Sequence, residues 1–261
     1  MPPRLDHTDH WRTGLAAVVD PLLGTAVIVA VWWAATIAFD LPPYAAPAPP
    51  AVATALAENT GYLLANAWVT LGEASAGFTL AIATAVILGT VLAASRRLER
   101  ALHPTLLLLS SIPKPAFAPL LVTLGGFGQG PKIVLVWLMC FFPVAEATIK
   151  GLTATPADLV ELARAHAASR WATFVKIRLP AALPAIFQGL RTAVPLAVIG
   201  AAVAELFGSI AGLGFIIQTA GTDAALALAA GTLLGLMSIT LYHLLGAAEQ
   251  RIAPWIHHTH A

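Results

Sequence analysis

From Leu64 to Ala94 the chain carries one charged side chain, Glu73, and apolar runs of this kind limit the fold more than any motif does. A segment so long and so poor in charge has no solvated face to offer, so it belongs in lipid. Composition agrees. Hydrophobic residues make up 58% of the chain and charged residues 10%, with a mean hydropathy of +0.81. About 20 mostly apolar residues cross the hydrocarbon core, and six such segments are predicted, near residues 22–39, 64–94, 102–124, 131–150, 182–206 and 224–247. The runs are continuous and rich in Ala and Leu, without the alternation of a barrel strand, so the fold class is all-α. The 261 residues leave little room for a further globular domain.

Lysine and arginine set the orientation, because they are retained on the cytoplasmic side. Arg4 and Arg12 precede the first span. Arg96, Arg97 and Arg100 join spans two and three, while Lys150, Arg164, Arg170, Lys176 and Arg178 join spans four and five. Arg191 and Arg251 fall on the same side, whereas residues 40–63 and 207–223 contain neither lysine nor arginine. Both termini are therefore expected in the cytoplasm. Lys114 and Lys132 stand outside the pattern. The first span reads as an uncleaved anchor rather than a signal peptide, since its apolar run LLGTAVIVAVWWAATIAF exceeds the ~7–15 residues of a secretory core. The proline-rich LPPYAAPAPP after it is expected to run extended, making residues 1–63 an N-terminus, accessory helix and outer linker. Residues 64–250 then form the membrane domain and 251–261 a cytoplasmic tail.

The inner connection at 151–180 is unlike the rest. Thr155-Pro156-Ala157-Asp158 reads as a helix start with Thr155 as cap, and Leu159, Leu162, Ala163, His166 and Ala167 recur at helical spacing. Ser169 is placed to cap a second short helix carrying Trp171, Phe174 and Val175, which Leu179-Pro180 is expected to end. Two readings fit: a surface helix pair covering the inner end, or a docking element for a partner protein.

Several chemistries lack their groups. Gly125 and Gly130 have P-loop spacing, but Pro131 stands at the lysine position and Lys132 is followed by Ile133, so the segment reads as a turn. The tail His257-His258-Thr259-His260 has no second ligand cluster and reads as solvated, so no metal site is expected. His103 and His243 read as partners in hydrogen bonds between helices, and the sole cysteine, Cys140, as packing. A net charge of +1 with no basic face argues against nucleic acid. No catalytic residue is assigned. Charged groups at membrane depth are the better candidates for function, and these are Glu73, Lys114, Glu146 and Glu205. Two have a plainer alternative, in that Glu73 bridges helices and Glu146 reaches water at the inner end, whereas Lys114 lies in Ile112-Pro113-Lys114-Pro115, where two prolines are expected to kink the helix so that it can line a pathway. Glu205 precedes an outer loop with Gly208, Gly212 and Gly214, which either meets a substrate-binding protein or re-enters as a short helix.

Glu161-Leu162-Ala163, Ala167 and Ile177-Arg178-Leu179-Pro180 resemble the EAA loop of permease subunits of bacterial ABC importers. That pattern is Glu-Ala-Ala, three residues, Gly, nine residues, Ile, one residue, Leu-Pro; the spacing agrees throughout, with Leu162 and Ala167 replacing its second Ala and its Gly. SRRLER, SIPKPAFAPLLVTLGGFG, PKIVLVWLMCFFPV, PAALPAIFQGLRTA and AELFGSIAGLGFII extend the likeness to members importing nitrate, taurine, sulfonates, pyrimidine precursors or flavins. VPLAVIGAAVAELFGS is closer to the pyrimidine-precursor and flavin members than to the sulfonate members. The resemblance implies a five-helix type I importer core with an accessory first helix, in the bacterial inner membrane. It implies a homodimer that binds no cofactor itself, two copies of a separate ATP-hydrolysing subunit, and an extracytoplasmic solute-binding protein. Glu161, Leu162, Ala163, Ala167, Arg170, Ile177, Leu179 and Pro180 become the ATPase-coupling loop. The competing classes are a secondary transporter or channel using Glu73, Glu146 or Lys114 for ion coupling, and a membrane scaffold.

Overall fold

The computed structural model describes residues 9–255, with side chains from Val19 onward apart from Pro21. Arg4 and the His257–His260 tail lie outside the described residues, which form helices joined by turns and contain no strand. They divide into two units: residues 9–60 with 220–229, and residues 61–219 with 230–255.

In the first unit, α1 (Asp9–Ala38) holds the apolar stretch Leu22–Ala38. The expected extended linker is instead folded. Ala45 and Ala46 both donate to the Pro42 carbonyl, at 2.9 and 3.0 Å, and the chain then enters α2 (Pro49–Glu58). Proline explains the helix start, because its fixed φ and missing N–H cost nothing in the first turn.

The second unit is built on three long helices, α3 (Thr60–Ala93), α6 (Gln129–Thr153) and α9 (Leu179–Gly208). Between the first two come α4 (Arg96–Ser111), a 3₁₀ turn (Lys114–Phe117) and α5 (Ala118–Gly125); α7 (Ala157–Ala165) and α8 (Arg170–Thr173) lead into α9. A short α10 (Leu213–Thr219) follows, and residues 230–252 of the last helix, α11 (Ala224–Ile252), complete the unit. Among the described residues, four helices are long and apolar enough to cross a membrane, or five if the bent pair Arg96–Ser111 and Lys114–Gly125 counts as one span. The kink expected near Lys114 is a 75° break. Pro113 and Pro115 supply no backbone N–H there, so the helix cannot bridge them.

Lipid offers no hydrophobic drive between helices, so their association depends on close van der Waals fit. Gly77, Ala81, Ala85 and Gly89 recur every four residues on one face of α3, and all are buried. A Cβ on Gly77 would lie 2.4 Å from Val136 Cβ, and one on Gly89 2.7 Å from Thr148 Cβ, so this stripe lets α6 approach along its length. Gly189 and Gly200 do the same between α6 and α9, where an added Cβ would meet Ala147 Cβ at 2.4 Å and Met139 Sδ at 3.1 Å. Cys140 packs in this core, its thiol 3.4 Å from the Ala193 carbonyl. The outward faces stay apolar: Leu64, Trp68, Leu80, Ile87 and Val91 on α3 and Leu236, Ile239 and Leu244 on α11 are exposed. In a bilayer these faces meet lipid or a second copy.

Candidate functional site

The inner connection forms the helix pair expected of it, with three differences. Thr155 does not cap α7; its hydroxyl donates back to the Leu152 carbonyl at 3.4 Å, and Pro156 occupies the cap position. Ser169 does cap α8, accepting from the Ala172 amide at 3.1 Å. Leu179-Pro180 does not end the second helix. Residues from Arg170 to Gly208 run as one 39-residue helix, because Phe174–Arg178 widen into a π turn in which the Leu179 amide donates to the Phe174 carbonyl. A wide turn just ahead of Pro180 relieves the clash its ring would make with the preceding turn. The third difference lies on α7, whose single expected apolar face is divided. Ala163 is buried, whereas Leu159 and Leu162 are 43% and 56% exposed.

Ala167 adopts the left-handed conformation, with φ at +55°. It ends α7 in a Schellman arrangement: Ala168 donates to the Ala163 carbonyl and Ala167 to the Arg164 carbonyl, both at 2.9 Å. Glycine normally fills this position, since an L side chain there costs about 1–2 kcal/mol. Glu161, His166, Ala167 and Arg170 are exposed; Ile177, Leu179 and Pro180 are half-buried where the π turn enters α9.

The charged groups at membrane depth separate into two places. Glu73 and Glu205 belong to a buried cluster where α3 begins, α6 begins and α9 ends. Lys132, left over from the loop-charge pattern, is 4% exposed; its ammonium lies 2.6 Å from Glu73 and 2.7 Å from the Ser209 hydroxyl. Glu205 is fully buried and accepts from Thr70 Oγ1 at 2.7 Å and from the Gly214 amide at 2.6 Å. Thr70 in turn accepts from the Leu213 amide at 2.9 Å, and Asn66 Oδ1 accepts from the Gly212 amide at 2.7 Å. Asn66, Thr70 and Glu73 thus present one polar face of α3 to the turn between α9 and α10. Gly212, at φ +110°, is required there, because a Cβ would fall 2.2 Å from the Glu205 carboxyl carbon. The glycine-rich loop leads into a short helix, α10. Sequence reasoning missed Lys132, Asn66 and Thr70. The available signal was the spacing of 66, 70 and 73 on an otherwise apolar helix, with a lone lysine in a later span.

Lys114 and Glu146 lie elsewhere. Lys114 caps its own break by donating to the Ser110 carbonyl, with its ammonium 5.0 Å from the Phe142 ring centre. Glu146 is 41% exposed at its side chain and pairs with Lys150 at 2.6 Å, one helical turn on. His103, Ser110, Phe142 and Glu146 line one small recess between α4 and α6. His103 does not make the helix-bridging bond expected of it through Nδ1, which is buried without a partner among the described residues. Arg191 ties α9 to α11 through Glu249 at 2.5 Å and the Tyr242 ring at 5.4 Å.

Comparison with known proteins agrees with this architecture. Residues 77–258 match the family described as binding-protein-dependent transport system inner membrane component. A probable ABC transporter permease protein of Haemophilus influenzae is 38% identical over 86% of this chain and 91% of its own. The riboflavin transport system permease protein RibX of Chloroflexus aurantiacus is 36% identical over 90% and 91%, and the taurine transport system permease protein TauC of Escherichia coli 31% over 94% and 93%. Among solved structures, an inward-facing conformation of the MetNI methionine ABC transporter superposes with a TM-score of 0.63 at 22% identity, over 76% of this chain and 98% of that one. That likeness is one of fold. The family match and the relatives together place the chain in the binding-protein-dependent transport system inner membrane component family, as a multi-pass membrane permease subunit of a bacterial ABC importer and not an enzyme.

Proposed function

We propose that two copies of this chain enclose the transmembrane path for a small polar or anionic organic solute in the bacterial inner membrane, and that two ATP-binding subunits drive them from the cytoplasm. Six spans cross the bilayer, α1 included, with both termini inside. Residues 64–250 form the transmembrane domain and 151–180 its coupling loop. The chain binds no cofactor; ATP is held by the partner. An extracytoplasmic solute-binding protein delivers substrate to the outer face.

The observation that carries this reading is the unbroken helix from Arg170 to Gly208, which joins the exposed loop to the membrane core. Rigid-body switching needs a stiff element between the moving partner and the spans. A partner that grips α7 through Leu159 and Leu162, with Glu161 supplying a charged contact, displaces α9 as a rod. Along the path, Lys114 and Glu146 are the favoured polar groups, because Glu146 lines the recess between α4 and α6 and the Lys114 ammonium lies against Phe142, which lines it too. Glu73 and Glu205 already have partners in the buried cluster, and their role is to hold α10 in place.

The test is uptake by proteoliposomes containing the chain, its ATP-binding subunit and its binding protein. Uptake should require ATP and fall at least about tenfold in Glu161→Lys, together with weaker capture of the ATP-binding subunit. Solute accumulation that persists with this chain alone and no ATP would instead establish a secondary carrier. Full capture and transport by Glu161→Lys would remove that residue from the contact.

A further inference from the structure

Where α3 and α6 end and α9 begins, a cleft opens beneath α7; Glu161 and Arg170 of the proposed coupling loop line its edge, and the remaining arginines in it have no part in the transport cycle described above. It has two adjoining lobes of about 810 and 730 Å³, within the range of small-molecule sites. Arg164 and Arg178 line both lobes, Arg170 the first, and Arg96 and Arg100 the second. Two carboxylates, Glu99 and Glu161, share the second lobe. None of the five guanidinium groups lies within ion-pair distance of a carboxylate among the described residues, and Arg100 Nε is turned onto the Arg96 carbonyl at 3.1 Å. Arginines that only mark the inner side of a membrane protein splay into water. Here five converge on a concavity against two carboxylates, Glu99 and Glu161, with which they form no ion pair, and a net positive balance of this kind attracts an anion.

We propose that this cleft binds the phosphate headgroup of an anionic phospholipid from the cytoplasmic leaflet. Three features favour a lipid over a soluble anion or an acidic protein segment. The cleft lies where the apolar helices α3 and α6 end and α9 begins, which in the proposed orientation is the level of the cytoplasmic headgroups. Its first lobe is partly apolar, with Leu152 and Phe174 beside the arginines, so it suits a molecule that is charged at one end and greasy at the other. Trp171, stacked on Phe174 at 5.8 Å, is 73% exposed at its rim, and tryptophan is enriched at the membrane–water boundary. A lipid seated there touches α4, α7 and the π turn together, and so stiffens the loop that the proposed ATPase grips.

The choice of leaflet rests on the orientation proposed above. Binding measured in detergent does not, so the two readings fail separately. The full-length protein, purified in a mild detergent, is titrated with phosphatidylglycerol, phosphatidylcholine or inorganic phosphate and followed by native mass spectrometry. The expected result is one phosphatidylglycerol retained per chain in preference to phosphatidylcholine. Each cleft arginine removed should weaken it about fivefold, so Arg164→Gln with Arg178→Gln loses on the order of 25-fold. Arg97→Gln, in the same loop but not lining the cleft, should leave affinity unchanged. If the double variant does not fold, single Arg100→Gln and Arg178→Gln variants read the same effect. An equal loss in Arg97→Gln would reduce the site to general surface charge. Displacement by millimolar inorganic phosphate would make it a free-anion site, and loss of ATP-binding-subunit capture with unchanged lipid binding would make it a protein contact. Each of these overturns the proposal.

Discussion

Lys132 is the residue on which the most depends. It brings an ammonium among two carboxyl groups in a site closed to water, and removing one partner of a buried pair is far costlier than replacing the whole set. Lys132→Met should therefore lower stability by about 3–5 kcal/mol, seen as a marked drop in the thermal unfolding midpoint in detergent. Lys132→Met combined with Glu73→Gln should recover much of that loss; a double variant as unstable as the single would show that Lys132 acts through packing instead. Ala167 gives a prediction of the opposite sign. Ala167→Gly relieves a left-handed alanine and should stabilise the end of α7 by about 1 kcal/mol, slowing tryptic cleavage at Arg164 and Arg170. Faster cleavage would mean that the gain in loop freedom outweighs the relief. The sequence made Ala167 visible because glycine was the pattern's residue at that point, and Ser169 visible because capping is local. Lys132 was not legible, since its partner lies 59 residues away and no local rule relates a lysine in one span to a carboxylate in another.

Helix identity followed from length and hydropathy, but helix continuity did not. Pro180 was expected to stop a helix because a proline removes one hydrogen bond and clashes with the preceding turn. The π turn at Phe174–Arg178 absorbs both penalties, and a single residue's propensity gives no sign of it. The break at Ile112–Pro113 was legible as a kink only, since its 75° angle depends on what α5 packs against, including Ala118 with Leu135 and Ala204. The packing stripe on α3 permits a matched test. Gly89→Leu places a side chain where Thr148 already stands and should cost about 1–3 kcal/mol or more through overpacking. Gly72→Ala has open space and a helical backbone, and should be neutral or stabilising by up to about 1 kcal/mol. Comparable losses in both would show that α3 is sensitive to any substitution, and the α3–α6 contact would no longer explain the effect.

At the scale of the whole molecule, the proposed coupling and lipid site both require that the arginine-rich connections face the cytoplasm. The argument for this is electrostatic: lysine and arginine crowd residues 96–100 and 150–178, and are absent from 40–63 and 207–223. Lys132 is no longer an exception to be explained, because it is spent inside the protein on Glu73 and Ser209 and offers no charge to either surface. Cysteine labelling decides the matter, since Cys140 is the sole cysteine and is fully buried. Thr222→Cys and Ala168→Cys both replace exposed residues, one in a connection without basic residues and one beside Arg164 and Arg170. In intact spheroplasts a membrane-impermeant maleimide should modify residue 222 at once and residue 168 only after permeabilisation. The reverse order would turn the chain over, placing the cleft and α7 outside and separating them from any cytoplasmic ATPase. Labelling of both before permeabilisation would mean that the connection at 151–180 is accessible from the outer side, which a permease coupled from the cytoplasm does not allow.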